Sequence, residues 1–418
     1  MSRHLRDAVI WPLIHRVSSI VTPWGLTAAR VRRLRRSVRQ RGAMTSATRI
    51  FVDVTMIARH DAKTGIQRVV RSVFDAMRDG GGDHMVRPVR FTAGRFRVSV
   101  WPDKDEGLGE VMDLRSDDVF LGLDLSFDPI RRAKRDLLRQ RRAGARIWFV
   151  VYDLLPLRVP EFFSAKVAAR FRWWLGATAE IADGYACISS TTADELALTL
   201  RERLGLVDEP VVATIPMGFG RFPQASVDDR VARAVAGRDR AMVLAVGTIE
   251  PRKGYDEVLD AFEVLWADGC DAALTIVGSP GWKTDALQSR ICKHREYGDR
   301  LIWERALDDS RLGSLYASAQ MLLLSSHGEG FGLPILEAVA HGCPVLARDI
   351  PIFQASRHLG IRYFARDADA RQLADAIATM LRPGQVQAAG LTQALPDWRD
   401  TAAALLALIA ADTKAWPS

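Results

Sequence analysis

An α/β fold made of two parallel-sheet domains is the fold class that this sequence predicts. Short apolar runs alternate with helical patterns along most of the chain, which is typical of parallel sheets flanked by helices. The 418 residues are enough for two domains of ordinary size, each with its own core. A polar stretch with little apolar periodicity separates the two halves. In domains of this kind, ligands bind at the carboxyl ends of the strands.

The domain boundaries follow from the same pattern. We expect a first domain over 49–218, a linker over 219–240 and a second domain over 241–395. Each domain opens on a short β-rich run, which predicts a first buried strand. The segment 396–418 contains one further helix, over 398–410, that is apolar on most of its sides.

Composition indicates a folded protein kept under reducing conditions. Its apolar fraction of 48% and charged fraction of 26% are ordinary for a globular protein. Four cysteines lie far apart without a C-x2-C pair, so they fit neither a disulfide framework nor a zinc site. No run approaches the roughly 18 apolar residues that a helix needs to span a bilayer. We therefore expect a cytoplasmic location.

The positive charge is unevenly distributed. The formal net charge is +8, and residues 1–48 hold ten arginines against a single acidic residue, Asp7. The remainder of the chain is therefore close to neutral. This distribution argues against a nucleic-acid-binding body and favours a basic extension that meets an acidic surface.

The basic extension, residues 1–48, admits several interpretations. Apolar residues recur at helical spacing over 8–21 and the arginines cluster over 30–41, which resembles a helix lying in the plane of an anionic membrane. We therefore expect residues 1–41 to meet such a surface, at the inner face of the cytoplasmic membrane. A signal peptide is disfavoured because the apolar core ends at His15 without a clear cleavage site. An organellar transit peptide, or translation starting at Met44, stays open.

The stretch from Met321 to Ala338 carries the clearest chemical signal in the chain. A compact apolar run predicts a buried strand, and a loop with Gly328, Gly330 and Gly332 follows it. These glycines let the backbone bend and let a ligand approach closely. A helix comes next, since Pro334 suits a first helical turn. The loop therefore aims backbone N–H groups and the positive end of a helix dipole at one point, which suits an anion.

Two carboxylates lie at this predicted anion site. Glu329 is in the loop, and Glu337 is about one turn inside the helix. Carboxylates are poor partners for a phosphate, but they accept hydrogen bonds from sugar hydroxyls. A phosphate with several hydroxyls describes a nucleotide sugar, which the pattern favours. The plainer interpretation is a strand, a turn and a helix with two surface glutamates, and the spacing of the glutamates alone does not exclude it.

The sequence E-G-F-G-L-P-I-L-E-A at 329–338, followed by G-C-P-V, resembles the donor-site signature of retaining glycosyltransferase family 4. The resemblance is to bacterial, mannosyltransferase-like group 1 enzymes of the GT-B fold, and it covers roughly residues 49–410. It implies two Rossmann-like domains facing a cleft, with the last helix crossing back onto the first domain. It also implies that Glu329 holds hydroxyls of the donor sugar and Glu337 the ribose diol. The same loop would line the donor through Gly330, Phe331, Gly332 and Leu333.

The sequence V-G-T-I-E-P-R-K-G at 246–254 predicts a strand that ends in glycine, then a tight basic turn and a helix. Two cations at the exit of a strand suit a diphosphate. Family 4 more commonly has G-R-x-x-x-x-K-G at this place. Thr248 stands at the arginine position of that motif, and Arg252 beside Lys253 supplies the missing cation. The resemblance therefore implies phosphate binding by Arg252 and Lys253, with Gly247 and Thr248 next to the donor.

Two motifs of the first domain are further candidates. T-G-I-x-R places Gly65 and Arg68 after the first strand, where the family's glycine loop faces the donor phosphates or the acceptor. Tyr152 and Asp153 stand at the first two positions of the family's H-D-L-x-P segment, on the acceptor side. Tyrosine donates a hydrogen bond but is a poor base near neutral pH, so the departure from histidine weakens a catalytic role. Asp153 either orients the acceptor or caps the loop.

We therefore expect a retaining glycosyltransferase that moves a hexose from a GDP- or UDP-sugar to a glycan or lipid-linked acceptor, as in bacterial surface polysaccharide biosynthesis. Mannose is favoured by the two first-domain motifs. Arg252, Lys253 and Glu329 are the expected catalytic residues. No D-x-D-type motif is placed, so we expect neither a metal nor a cofactor. Two alternatives stay open: a sugar-nucleotide epimerase of the same fold, and a catalytically silent scaffold that binds glycan at a membrane.

Overall fold

A computed structural model of the protein divides into two compact units. The first comprises residues 1–218 and 396–418, and the second comprises residues 219–395. Most of the predicted extension and most of the predicted linker lie outside the described residues. Within the described part of the chain, no helix is both long enough and apolar enough to span a membrane. The structure describes residues 44–45, 48–61, 64–80, 84–102, 107–206, 210–220, 240–305, 307–382, 384 and 395–411.

An eight-stranded sheet forms the centre of the first unit. Its strands are β1 (Arg49–Asp53), β2 (Met85–Thr92), β3 (Arg95–Ser99), β4 (Leu108–Val111), β5 (Val119–Gly122), β6 (Arg146–Val151), β7 (Gly184–Cys187) and β8 (Val211–Thr214). They lie in the order β4-β3-β2-β1-β5-β6-β7-β8. The sheet is parallel, as predicted, from β2 through β8. At the other edge, β3 and β4 are antiparallel additions that the sequence analysis did not predict.

The antiparallel edge has a local cause. Only Ala93 and Gly94 connect β2 to β3, and both have positive φ, at 47° and 83°. A two-residue connection of this kind closes a tight hairpin, which reverses the chain and pairs the strands antiparallel.

Helices flank the first sheet. They are α1 (Gly65–Gly80), α2 (Phe127–Arg142), α3 (Leu155–Arg158), α4 (Ala165–Ile181) and α5 (Ser190–Leu204), with the last helix of the chain, α12 (Trp398–Ala410). A short 3₁₀ turn, Pro160–Phe162, follows α3. The core between sheet and helices contains large aromatic side chains, among them Phe120, Phe149 and Trp174. Burial of these side chains is the main stabilising contribution to this unit.

The last helix is tied into the first unit. It packs against α1, and its N-terminus is capped by Asp397, whose carboxylate accepts hydrogen bonds from the N–H groups of Arg399 and Asp400. The N–H of Gly218 donates to Thr401 Oγ1 at 2.7 Å. A side chain at Gly218 would lie 2.3 Å from the Asp397 carbonyl oxygen, so only glycine fits there.

A six-stranded sheet forms the centre of the second unit. Its strands are β9 (Met242–Val246), β10 (Ala273–Val277), β11 (Leu301–Glu304), β12 (Met321–Leu324), β13 (Val345–Arg348) and β14 (Arg362–Phe364). They lie in the order β11-β10-β9-β12-β13-β14, and every pair is parallel. The strands are buried almost throughout, which explains why they appear in the sequence as continuous apolar runs.

The helices of the second unit lie between these strands in the sequence, except α11, which follows β14. They are α6 (Tyr255–Ala267), α7 (Asp285–Lys293), α8 (Asp309–Ser318), α9 (Leu333–Ala340), α10 (Pro351–Gln354) and α11 (Ala370–Leu381), with 3₁₀ turns at Pro251–Lys253 and Arg357–Leu359. Two apolar clusters pack on the sheet, one including Phe262 and Leu274 and the other including Tyr316 and Leu322.

Candidate functional site

The candidate site lies at the carboxyl ends of β9 and β12, two neighbouring strands of the second sheet. The chain leaves β9 for β10 on one side, whereas β12 lies on the other side of β9. This reversal of strand order opens a crevice at the strand ends, which is where ligands bind in open α/β sheets. The 3₁₀ turn Pro251–Lys253 follows β9, and the glycine loop follows β12.

Backbone contacts hold the turn and the loop together. The Ser325 hydroxyl donates to the carbonyl oxygen of Lys253 at 2.6 Å, and the His327 N–H donates to the carbonyl oxygen of Arg252 at 2.7 Å. Gly254 has φ +68°, and a Cβ there would lie 2.6 Å from the Ser325 carbonyl oxygen. Only glycine therefore allows the turn to approach the loop this closely.

We expect Gly254→Ala to lower the free energy of unfolding by about 1–3 kcal/mol, because alanine is strained at positive φ. The added methyl group also pushes the turn away from the loop, so binding of nucleoside diphosphate should weaken. Gly269→Ala is the matched control, since Gly269 has φ +85° but open space around its Cβ position. Urea unfolding and calorimetric titration of both variants measure the two effects. Equal losses in both variants would show that the contact with Ser325 is unimportant.

Three side chains converge on the carboxylate of Glu329. Arg252 Nη1 donates to Glu329 Oε2 at 2.8 Å, and Lys253 Nζ donates to Oε1. The Ser326 hydroxyl donates to the same Oε1 at 2.7 Å. The structure therefore brings together the three residues predicted to be catalytic.

The charges around Glu329 fix its protonation state. Burial alone would raise the pKa of this carboxyl, but the Arg252 guanidinium and the Lys253 ammonium outweigh burial and hold the pKa at about 2. Glu329 is therefore ionised near neutral pH and cannot serve there as a general acid. The stabilisation from these contacts is complete above the ordinary pKa of 4.5 and is lost as the pH falls towards 2.

A second carboxylate, Glu250, orients Arg252. Arg252 Nε donates to Glu250 Oε2 at 2.8 Å, while Arg252 Nη1 also donates to the carbonyl oxygen of Gly328 at 2.9 Å. Burial raises the pKa of Glu250, and the two neighbouring cations oppose this effect. The guanidinium is thus held on three acceptors, which fixes its plane at the strand exit.

Gly247 and Thr248 lie at the exit of β9, as expected. Gly247 has φ +148°, and a Cβ there would lie 3.1 Å from the Lys253 ammonium nitrogen. The Tyr255 hydroxyl donates to the Gly247 carbonyl oxygen at 2.9 Å. Thr248 is half-buried beside it. The glycine therefore leaves room for the lysine side chain to fold over the strand end.

The glycine loop leads directly into α9. Gly332 precedes the helix with φ +97°, and a Cβ there would lie 2.9 Å from the ring of Phe353. Gly330 is buried, whereas Phe331, Gly332 and Leu333 are half-buried. The N-terminus of α9, with its positive dipole end, therefore follows Glu329 closely in the sequence and lies at the same edge of the sheet.

Glu337 is located inside α9. Its side chain is buried, and its Oε2 accepts a hydrogen bond from the Tyr316 hydroxyl at 2.8 Å. The plainer interpretation, in which Glu337 is a surface residue, is therefore wrong.

A charged network behind the loop was missed by the sequence analysis. Arg348 is 1% exposed and donates to the carbonyl oxygens of Ser325 at 2.9 Å and Arg366 at 2.6 Å. It also pairs with Glu257, which lies 2.9 Å from His327 Nε2. The signal that could have found Arg348 is a charged residue at the end of an otherwise apolar strand.

The first-domain candidates lie in the other unit. Gly65 begins α1 with open space around its Cβ position, and Arg68 is half-buried in the first turn. The Tyr152 hydroxyl is buried and donates to the Leu123 carbonyl oxygen at 2.6 Å, and burial raises its pKa well above the ordinary value. Asp153 accepts from the Leu155 N–H at 3.0 Å, a local contact just before α3. A role for these residues with the acceptor stays a prediction.

Two buried carboxyls at the first sheet were also missed. Asp53 ends β1 and Asp124 follows β5, and these are the neighbouring strands at which the strand order of that sheet reverses. Asp53 accepts from the Thr55 N–H at 2.9 Å, and Asp124 accepts from Met56 and Ile57 N–H groups. Burial, and then the charge of Asp124, raise the pKa of Asp53 to about 7.

Residues 229–389 match the family described as Glycosyl transferases group 1. The matched range includes Arg252, Lys253, Glu329 and Glu337. The chain carries a group 1 glycosyltransferase domain. This match confirms the group 1 glycosyltransferase part of the predicted resemblance.

The chain is also similar in sequence to a curated protein. The serotype-specific mannosyltransferase WbdA of Escherichia coli is 35% identical over 335 residues. The alignment takes in 77% of this chain and 40% of that relative. The chain therefore spans less than half the length of this relative.

Solved structures show the fold over most of the chain. Anabaena Alr3699/HepE in complex with UDP and glucose has a TM-score of 0.59 at 14% identity, covering 86% of this chain and 95% of that one. A Burkholderia vietnamiensis α,α-trehalose-phosphate synthase has a TM-score of 0.60 at 16% identity, covering 88% and 98%. These likenesses confirm the predicted GT-B fold around the glycosyltransferase domain.

Proposed function

We propose that the chain is a retaining glycosyltransferase that moves a hexose from a GDP- or UDP-sugar to a glycan or lipid-linked acceptor in bacterial surface polysaccharide biosynthesis. The observation that carries this proposal is the contact of Arg252 and Lys253 with Glu329 at the strand-order reversal of a group 1 glycosyltransferase domain. Mannose is the favoured sugar, supported by the likeness to a mannosyltransferase.

Stabilisation of the leaving group is the main catalytic contribution in this proposal. The bond between the anomeric carbon and the diphosphate oxygen breaks, and the electron pair stays on the diphosphate. In this proposal the charge develops beside Arg252, Lys253 and the N–H groups at the start of α9. Fixed donors of this kind stabilise a transition state strongly. The oxygen of the acceptor hydroxyl then bonds to the same face of the sugar, and the proton of that hydroxyl passes to the departing diphosphate oxygen.

Glu329 and Glu337 hold the two ends of the donor. Because Glu329 is ionised, it accepts hydrogen bonds from sugar hydroxyls and orients the anomeric carbon between diphosphate and acceptor. In doing so it shares Arg252 and Lys253 with the diphosphate, so the donor must compete with the carboxylate for the same two cations. Glu337, buried in α9, takes the ribose diol.

We propose that transfer needs no divalent ion. Two side-chain cations and a helix N-terminus supply positive charge to the diphosphate, which is the role that Mg²⁺ plays in other phosphate sites. Activity that is unchanged in the presence of EDTA is the expected result.

The acceptor is proposed to lie at the inner face of the cytoplasmic membrane, approached by residues 1–41. Ten of the arginines in the sequence lie in that segment. The first unit adds exposed arginines along one side of α2, which favours the same acidic surface. These are Arg132, Arg135, Arg139 and Arg142.

A thermal-shift assay tests the donor site. The full chain is mixed, in EDTA, with GDP-mannose, UDP-glucose, UDP-N-acetylglucosamine or the free nucleoside diphosphates. A ligand that binds the folded state raises the melting temperature by mass action. At a ligand concentration a hundredfold above Kd, the free energy of unfolding rises by about 2.7 kcal/mol. We expect a shift with one nucleotide base and with no other.

The outcomes of further assays separate this proposal from its alternatives. Interconversion of donor sugars without an acceptor would indicate an epimerase. Binding of glycan with no shift by any nucleotide would indicate a silent scaffold. A product with inverted configuration at the anomeric carbon would contradict the retaining mechanism.

A further inference from the structure

Tyr316 lies beneath the carboxylate of Glu337. It is in α8, its side chain is fully buried, and its hydroxyl donates to Glu337 Oε2 at 2.8 Å. The two residues come from different helices, α8 and α9, that pack against each other. The contact therefore links the predicted ribose carboxylate to a rigid part of the second unit.

A histidine packs on the same tyrosine. The ring of His341 stacks on the ring of Tyr316, with centroids 5.7 Å apart and planes 23° apart. His341 Nδ1 also lies 2.7 Å from the backbone carbonyl oxygen of Glu337. Tyr316 is thus held both by its ring and by its hydroxyl, and Glu337 both by its backbone and by its carboxylate.

A fixed carboxylate plane is what recognition of a diol requires. The terminal torsion of a glutamate side chain has broad minima, so the plane of the carboxylate is set by its hydrogen-bond partners. Two neighbouring ribose hydroxyls can both donate to a carboxylate only if its oxygens face them. A buried donor on Oε2 sets that orientation before the nucleotide arrives.

We propose that Tyr316 is a positioning residue, which holds Glu337 in the orientation that binds the ribose diol of the donor. The inference rests on the proposed function, because it assigns Glu337 to the ribose. It predicts selectivity for ribonucleotides, and the selectivity depends on a residue that does not itself touch the ligand.

The test compares Tyr316→Phe with the unaltered full chain. Calorimetry measures binding of GDP and UDP and of their 2′,3′-dideoxy forms, which lack both hydroxyls. In the variant, the nucleotide with an intact ribose should bind about tenfold more weakly, the effect of one lost hydrogen bond to a charged group. The dideoxy nucleotide should bind the two proteins equally. Turnover at saturating donor should change less than about twofold, so the effect appears in KM and not in kcat.

Tyr185→Phe is the matched control. Tyr185 is also fully buried, and its hydroxyl donates to Thr178 Oγ1 at 2.9 Å in the first unit. This variant loses one buried hydrogen bond but should keep the full preference for ribonucleotides.

The outcomes distinguish this inference from the function on which it rests. An equal loss of affinity for ribose and dideoxy nucleotides in Tyr316→Phe would show a general structural role and overturn the inference. Unchanged affinity of Tyr316→Phe for both nucleotides would also overturn it, while the donor site would stand. Failure of the unaltered protein to bind any nucleoside diphosphate would overturn the proposed function and this inference together.

Discussion

Replacing Glu329 by glutamine is expected to reduce turnover about 100- to 1,000-fold, the range seen when one preorganised electrostatic group is removed from an active site. Glutamine has nearly the same shape but no charge, so it no longer orients sugar hydroxyls as an ionised acceptor. Arg252 and Lys253 lose their anionic partner in this variant. Free nucleoside diphosphate should therefore bind at least as tightly as before, because it no longer competes with a carboxylate.

Steady-state kinetics and calorimetric binding of GDP or UDP measure the two effects. Glu296→Gln is the control, since Glu296 also pairs with a guanidinium, that of Arg300 at 2.7 Å, at a place outside the candidate site. Full turnover in Glu329→Gln would remove the central assignment. Weaker diphosphate binding would show that the carboxylate and the diphosphate do not compete for the cations.

Replacing Asp53 by asparagine is expected to stabilise the protein at alkaline pH relative to acidic pH. The folded-state pKa of Asp53, about 7, is above its ordinary value of 3.8. Between these values the folded chain holds a proton that the unfolded chain has lost, so the stability contributed by this group is complete at low pH and is lost as the pH rises to 7. Asparagine does not titrate. From pH 5 to pH 8, the unfolding free energy of the variant minus that of the unaltered protein should rise by roughly 3 kcal/mol. The rise amounts to about 1.4 kcal/mol for each pH unit between pH 5 and the pKa.

Urea unfolding followed by tryptophan fluorescence at the two pH values measures this shift. Asp113→Asn, at an exposed position in the same unit, is the control for loss of a carboxylate outside the core. The same difference between variant and unaltered protein at both pH values would mean that Asp53 does not retain a proton in the folded state.

The sequence was sufficient to predict the parts of the site that depend on neighbours along the chain. The glycines and Pro334 predicted a loop that leads into a helix, and the structure has Gly332 at positive φ directly before α9. The parallel sheets follow from the alternation of strands and helices. The contact between Glu329 and the basic turn joins residues 76 and 77 positions apart, and it was predictable only through the family resemblance.

Other features depend on packing that local patterns do not encode. Tyr316 and Glu337 are 21 residues apart, and Arg348 pairs with Glu257 across 91 residues. The short runs of β3 and β4 carry exposed polar residues. The hairpin that joins β2 to β3 depends on the positive φ of Ala93, a conformation that alanine rarely adopts. The raised pKa of Asp53 needs a second carboxyl, Asp124, that only the sheet brings close.

The return of the last helix to the first unit has a consequence for biosynthesis. The second unit is a continuous segment, whereas the first unit is assembled from two segments separated by the whole of the second. A chain emerging from the ribosome can therefore complete the glycosyltransferase domain while α1 still lacks its partner helix. The first unit closes last, when Asp397 and Thr401 reach Gly218. Until then, the surface of α1 that α12 covers in the folded protein stays uncovered.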